Sequence, residues 1–307
     1  MLLLCLFPCL VLLLTLLFSV LVVIFTQKKG PVTVDVLQAK SLSMFLDIAP
    51  FVLCGVVIWF AIAYFANTSI IRSATGARSL ARRENKRVYN LVENLCMTQG
   101  MTTPKINIIE DDSLNAFASG INNSTYTVSL SRGIIDKLND EELEAVIAHE
   151  LTHIRNSDVR LLIVSIVFVG IFAMIAQIAF RFLSISPGRS RDSKNGNGAM
   201  VMLLIALVVA AIGYFFATMM RFAISRNREY MADAGAAEMT RRPQALASAL
   251  RKISQDPNIE AVTRADVAQL FIENPGGKKK KTLSAGISGL FATHPPIEER
   301  IGILEQF

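Results

Sequence analysis

His149-Glu150-Leu151-Thr152-His153 is the stretch from which the rest of this chain can be read. It lies in a segment of helical periodicity. Leu143, Val146, Ile147 and Leu151 supply an apolar face, and Asn139 followed by Glu142 has the form of a capping box opening the helix. Residues four apart on a helix stack on one face, so both imidazoles can turn toward a single cation. The chain has 3 histidines, and two of them are here. Glu150 stands beside them without being needed as a ligand, which is the placement a general base requires.

Outward from this helix the chain is unusually apolar. A hydrophobic fraction of 52% with a mean hydropathy of +0.44 is high for a soluble domain of 307 residues. The excess is concentrated in four uncharged runs at 2–26, 48–66, 161–180 and 199–220. Each is near the ~20 residues that cross ~30 Å of hydrocarbon. Buried core helices are the alternative, but such helices in soluble proteins rarely lack every charge for so long. The first run is too long for a signal-peptide core, has no basic start, and has no small-x-small site before Lys28; it reads as a retained span.

The basic residues follow the membrane flanks. Arg72, Arg78, Arg82, Arg83, Lys86 and Arg87 follow the second span, and Arg221, Arg226, Arg228, Arg241 and Arg242 follow the fourth. The opposite loops carry Lys28, Lys29, Lys40, Arg189, Arg191 and Lys194, with the lysine pair pulling the other way. The weighting puts both large polar segments on the cytoplasmic side. A net charge of +6 distributed in this way excludes a nucleic-acid groove binder. Cysteines at 5, 9, 54 and 96 form no C-x-x-C pair, so they read as packing residues and not as a disulfide framework or thiolate site.

The expected architecture is an α+β, mostly helical membrane protein. Residues 1–66 form two transmembrane helices and 67–159 the first part of a catalytic domain, with a small β-sheet and the His149/His153 helix. Residues 160–220 form a transmembrane hairpin, and 221–307 complete the domain. In the first part, 77–97 has helical spacing, Lys105–Glu110 and Thr125–Leu130 alternate as strands, and Leu114–Gly120 is extended in character. In the second, Pro243 suits a helix first turn with Leu246, Leu250 and Ile253 behind it, and 274–289, with Lys278 to Lys281, reads as a basic loop.

Zinc needs a third protein ligand and a fourth position for water. Glu229, just beyond the fourth span, is the best candidate. Asp233 follows four residues later on the same helical face, where it can accept a hydrogen bond from a ligand imidazole. His153 precedes Arg160 by about as much as Glu229 follows Arg221, which predicts both ligands ~10–12 Å above the bilayer boundary. His294, before Pro295-Pro296, is either a turn histidine or a donor to the oxyanion; Arg300 could pair with a carboxylate near the site. An edge strand at 114–120 either is an ordinary sheet edge or holds an extended peptide by backbone hydrogen bonds, with Asn115, Ala116, Phe117 and Ala118 as contacts. Together these residues predict a membrane-embedded zinc peptidase, one ion per chain, with Glu150 moving the proton.

The set of motifs resembles the HtpX-type membrane metalloproteases, relatives of the prenyl-protein (CAAX) endoproteases. The resemblance is carried, in order, by Leu114–Gly120, Ser129–Gly133, His149/Glu150/His153, Ser225–Asp233 and Phe291–Arg300. It implies zinc held by His149, His153 and Glu229 in a gluzincin-like domain on the cytoplasmic side of a bacterial inner membrane. It also implies a stress-related quality-control role on misfolded or damaged membrane proteins. Polypeptides and the lipid bilayer are then the expected partners. Two other readings stand beside it: a prenyl-protein protease, disfavoured by only four spans, and a non-catalytic zinc-binding adaptor, disfavoured by the intact Glu150.

Overall fold

A computed structural model describes residues 2–26, 33–185, 196–255 and 295–307, which fall into two units. The basic loop at 274–289 lies outside the described residues.

The first unit, 1–63 with 165–220, is helical. It takes in most of four apolar stretches long enough to cross a membrane: Phe7–Thr26 in α1 (Leu2–Thr26), Val34–Ile62 in α2 (Val34–Thr75), Asp158–Ile178 in α6 (Asp158–Ile185) and Met200–Met219 in α7 (Gly196–Thr240). Thr15 and Ser19 return their hydroxyls to the carbonyls four residues back, at 2.8 and 2.9 Å, which satisfies them without water. Phe51 is 80% exposed, and Val57, Ile58 and Ile62 are exposed with it; such a surface is stable in lipid and not in water.

The second unit, 64–164 with 221–307, holds the sheet and the short helices. β1 (Arg78–Ser79), β2 (Lys105–Ile109), β3 (Ala116–Ser119) and β4 (Thr127–Ser131) form a mixed sheet in the order β1-β2-β4-β3. β2 and β4 are parallel and the outer pairs antiparallel. β3 is therefore an edge strand. It turns back at Gly120, whose φ of +109 would put a Cβ 2.4 Å from the Thr125 carbonyl oxygen. The strand expected from Thr125 starts at Thr127 because Thr125 is held in the turn: its Oγ1 accepts from the backbone N–H of Ile121 at 3.0 Å. Likewise only part of 77–97 is helical. Arg78–Ser79 pairs with β2, and α3 (Lys86–Thr98) begins where the Asn85 side chain caps Val88 N–H.

α4 (Arg132–Lys137) follows β4 directly, capped by Ser131. α5 (Asp140–Arg155) carries the two histidines, and its capping box is fully formed: Asn139 Oδ1 accepts from Glu142 N–H at 2.9 Å, and Glu142 Oε2 accepts from Asn139 N–H at 3.0 Å. α5 packs against α3, β3, β4 and α8 (Pro243–Ile253), and α8 against α9 (Ile297–Leu304). Leu143, Val146, Ile147 and Leu151 of α5 are fully buried, as are Leu246, Leu250 and Ile253 of α8. Pro243 occupies the first turn of α8, where its missing N–H costs nothing.

Candidate metal centre and catalytic site

The two histidines leave α5 on one face, as their spacing requires. Their Nε2 atoms lie 3.1 Å apart, and the rings meet edge to face. Glu229 comes to them from α7: its Oε1 is 3.5 Å from His153 Nε2 and its Oε2 3.7 Å from His149 Nε2. Tetrahedral ligands at ~2.0–2.1 Å from a zinc-sized ion stand roughly 3.3–3.4 Å from one another. The observed spacing therefore fits such an ion. Two ring nitrogens and a carboxylate form the donor set that suits it.

α7 reaches this position because it passes close to α5 at Gly235. A Cβ there would lie 2.5 Å from Thr152 Cγ2 and 2.9 Å from its Oγ1. Gly235 follows Glu229 by six residues and Thr152 precedes His153 by one, so this crossing sets the approach of the ligands.

Each imidazole is held from behind by a carboxylate that is itself held by an arginine. His149 Nδ1 stands 3.0 Å from Asp233 Oδ1. Arg300 of α9 donates to Asp233 through Nε and Nη2, and its Nη1 lies 3.2 Å from Glu229 Oε2. On the other side His153 Nδ1 stands 3.1 Å from Asp158 Oδ2, and Arg228 pairs with Asp158 Oδ1. Such partners fix the tautomer and aim Nε2 at the shared point. Arg300 is 1% exposed, Asp233 4% and His149 0%, so the cluster is dry. Burial pulls His149 below the ordinary histidine value despite Asp233, which keeps the ring neutral and able to ligate. Burial alone would raise Asp233, but the charge and hydrogen bonds of Arg300 and the contact with His149 hold it below the usual carboxylate range.

Glu150, next to His149, is 2% exposed. Burial pushes it up to about 7; His153 opposes the shift, Glu229 adds to it, and a hydrogen bond from the Ala118 backbone N–H opposes it. That bond ties the acid to edge strand β3. Ala116 and Ala118 share one face of β3, and Phe117 points to the other. Asn115 precedes the strand at 0% exposure: its N–H donates to Ser131 Oγ, and its Oδ1 accepts from Ala116 N–H.

Of the residues singled out from sequence, the structure brings together His149, His153, Glu150, Glu229, Asp233 and Arg300. Asn115 to Ala118 lie alongside through the contact with Glu150. His294 lies outside the described residues. Sequence reading passed over Asp158 and Arg228. The available signal was an acid five residues after His153 at the start of a helix, and a base adjoining the third candidate ligand.

Comparison with known proteins accords with this geometry. The model of peptidase family M48 matches residues 82–307. A Bacteroides fragilis protein named protease HtpX homolog is 69% identical over 303 residues, covering 98% of this chain and 93% of its own length. A Dictyoglomus turgidum protein of the same name is 42% identical over 256 residues, 80% of each chain. The crystal structure of S. mikatae Ste24p superposes with a TM-score of 0.53 over 85% of this chain and 58% of the other; at 18% identity this likeness shows the fold.

Proposed function

The chain belongs to peptidase family M48 as an HtpX-type membrane metalloprotease, and on that premise we propose that it is a zinc-dependent endopeptidase. The observation that carries the reading is the convergence of His149 Nε2, His153 Nε2 and the Glu229 carboxylate beside a buried Glu150. His149, His153 and Glu229 would hold the ion, which when bound supplies Lewis-acid charge at the reacting carbonyl and acidifies water.

The remaining work falls to side chains. Glu150 takes the proton from the attacking water and returns it to the departing amine; its burial suits it to both roles near neutral pH. Asp233 and Asp158 keep the two rings in register, and Arg300 holds Asp233 and the outer oxygen of Glu229. β3 is the natural place for an extended peptide, with backbone groups of Ala116 and Ala118 as partners, Phe117 stiffening the strand from behind and Asn115 fixing its start. His294 would donate a hydrogen bond to the oxyanion. The distribution of arginine and lysine supports a cytoplasmic active site near the surface of a bacterial inner membrane. The apolar spans support substrates met at the bilayer, and the likeness to the HtpX-type proteases supports misfolded or damaged membrane proteins as those substrates in stress-related quality control.

The test uses protein purified in detergent with chelator, then supplied with zinc and an unfolded test protein, beside Glu150→Gln. Cleavage by the parent alone, with zinc bound to both, is expected. Equal activity of the two would point to a contaminant, and inactivity of both with zinc bound would leave a non-catalytic zinc protein.

A further inference from the structure

The four-stranded sheet has a second face, on the side away from the metal centre. Side chains alternate along strands, so the register that buries Ile106, Ile108, Val128 and Leu130 sends Ser79, Lys105, Asn107, Ser119, Thr127 and Ser129 to the other side. A face of this composition ordinarily meets water. Here Ser119, Thr127 and Ser129 are only 3, 3 and 1% exposed. With Ile71, Arg72 and Thr75 from the last turns of α2, this face lines a cavity of about 150 Å³. That is roughly ten times the ~15 Å³ that admits one water.

Three properties of the lining select its ligand. Among the described residues no aspartate or glutamate borders the cavity, which disfavours a metal ion or an amine. Two cations do border it. Arg72 gives its Nε to the Ala77 carbonyl at 3.2 Å, and among the described residues neither Arg72 nor Lys105 has a carboxylate partner. Ser119 and Thr127 are linked to each other at 2.6 Å, but the buried Ser129 Oγ meets no hydrogen-bond partner among the described residues. A buried hydroxyl without a partner is unusual, and here it lines a space whose exposed rim carries two cations with no carboxylate partner among the described residues.

We propose that this cavity binds a phosphate group, carried by an anionic lipid headgroup or free in solution. A tetrahedral oxyanion offers acceptors in several directions: to the guanidinium edge of Arg72, to the Lys105 ammonium, to Ser129 Oγ and to the Asn107 amide. Arg72 follows the apolar stretch Val34–Ile62 by ten residues along α2, which favours a headgroup as the source. Phe117 and Ser119 of β3 line the cavity, while Ala118 N–H of the same strand bonds Glu150. An occupant would hold β3 from behind.

The experiment uses the full chain in an uncharged detergent at fixed ionic strength. It is titrated calorimetrically with inorganic phosphate and, separately, with mixed micelles containing phosphatidylglycerol or uncharged diacylglycerol. Arg72→Gln/Lys105→Gln and Ser129→Ala are measured alongside, with zinc affinity as a check that each variant is folded. Saturable binding of at least one phosphate probe and none of diacylglycerol is expected, weakened about tenfold or more in the double variant and measurably in Ser129→Ala. Binding of inorganic phosphate alone assigns the site to free phosphate, and binding of phosphatidylglycerol alone assigns it to the headgroup. Absence of saturable binding, or equal affinity in the double variant, overturns the proposal. So does a loss in the double variant with Ser129→Ala unchanged, because that pattern reports surface charge and not the cavity.

Discussion

Arg300 grips Asp233 along both edges of the carboxylate, with Nε 2.8 Å from Oδ2 and Nη2 2.7 Å from Oδ1, across 67 residues of chain. Both are buried, so removing one leaves the other as an uncompensated charge. Arg300→Ala is expected to cost about 3–5 kcal/mol of stability, read from the denaturation midpoint in detergent. Replacing both, as Asp233→Leu/Arg300→Met, is expected to restore much of the stability but not the zinc affinity. Recovery of zinc affinity in that double variant would show that Asp233 does not orient His149.

Asp158 is expected to matter for the metal far more than for the fold. Asp158→Asn keeps the shape and removes the charge behind His153, and zinc affinity measured against a competing chelator should fall about 10–100-fold. Arg228→Gln, which touches Asp158 but not the ring, should produce a smaller loss in the same direction. Affinity unchanged in Asp158→Asn would remove it from the metal's support.

The crossing of α5 and α7 makes Gly235 intolerant of even one methyl. Gly235→Ala is expected to destabilise the chain by about 1–3 kcal/mol. Because the nearest atoms belong to Thr152, Thr152→Ala placed in the same background should return part of that loss, and a double-mutant cycle measures how much. Strictly additive effects would mean that the clash is relieved elsewhere.

Glu142 links the start of α5 to α8, accepting from Ser248 at 2.7 Å and Lys252 at 2.6 Å. Burial works against its charge, but the hydrogen bonds from Lys252, Ser248 and the Asn139 backbone outweigh burial and hold the carboxyl below its ordinary range. A carboxylate with a depressed folded value stabilises above its unfolded pKa, and that contribution is lost as pH falls through the folded value. Glu142→Gln should therefore cost about 1 kcal/mol at neutral pH, discounted for the half-exposed Lys252, with the difference from the parent shrinking below about pH 4.5. A difference constant down to pH 3 would contradict this.

Local rules carried much of this structure into view from sequence. Asn139 and Glu142 marked the start of α5, Pro243 that of α8, and the four-residue interval of His149 and His153 placed both rings on one face, because each depends on neighbours within a turn or two. The edge character expected of 114–120 holds for β3, but the strand order behind it was less accessible, since it depends on β2 and β4 pairing in parallel across the intervening β3. Asp158 escaped notice for a related reason. Ser157 adopts φ 61 between α5 and α6, and that single left-handed residue turns the start of α6 back toward His153, which helical spacing does not anticipate. The buried polar face of the sheet was also hidden, because Thr and Ser alternating with apolar residues is the pattern of a solvent-facing strand until α2 is seen to cover it.

The order in which the site's parts occur along the chain has a consequence for biosynthesis. His149 and His153 precede the third apolar stretch, Glu229 and Asp233 follow the fourth, and Arg300 comes far later still. A ribosome therefore releases the ligands in instalments, and the arginine that clamps Asp233 emerges after all four of these apolar stretches. Until synthesis has passed the fourth stretch, the chain holds His149, Glu150 and His153 without Glu229, so the ligand set cannot close before those four stretches have been made.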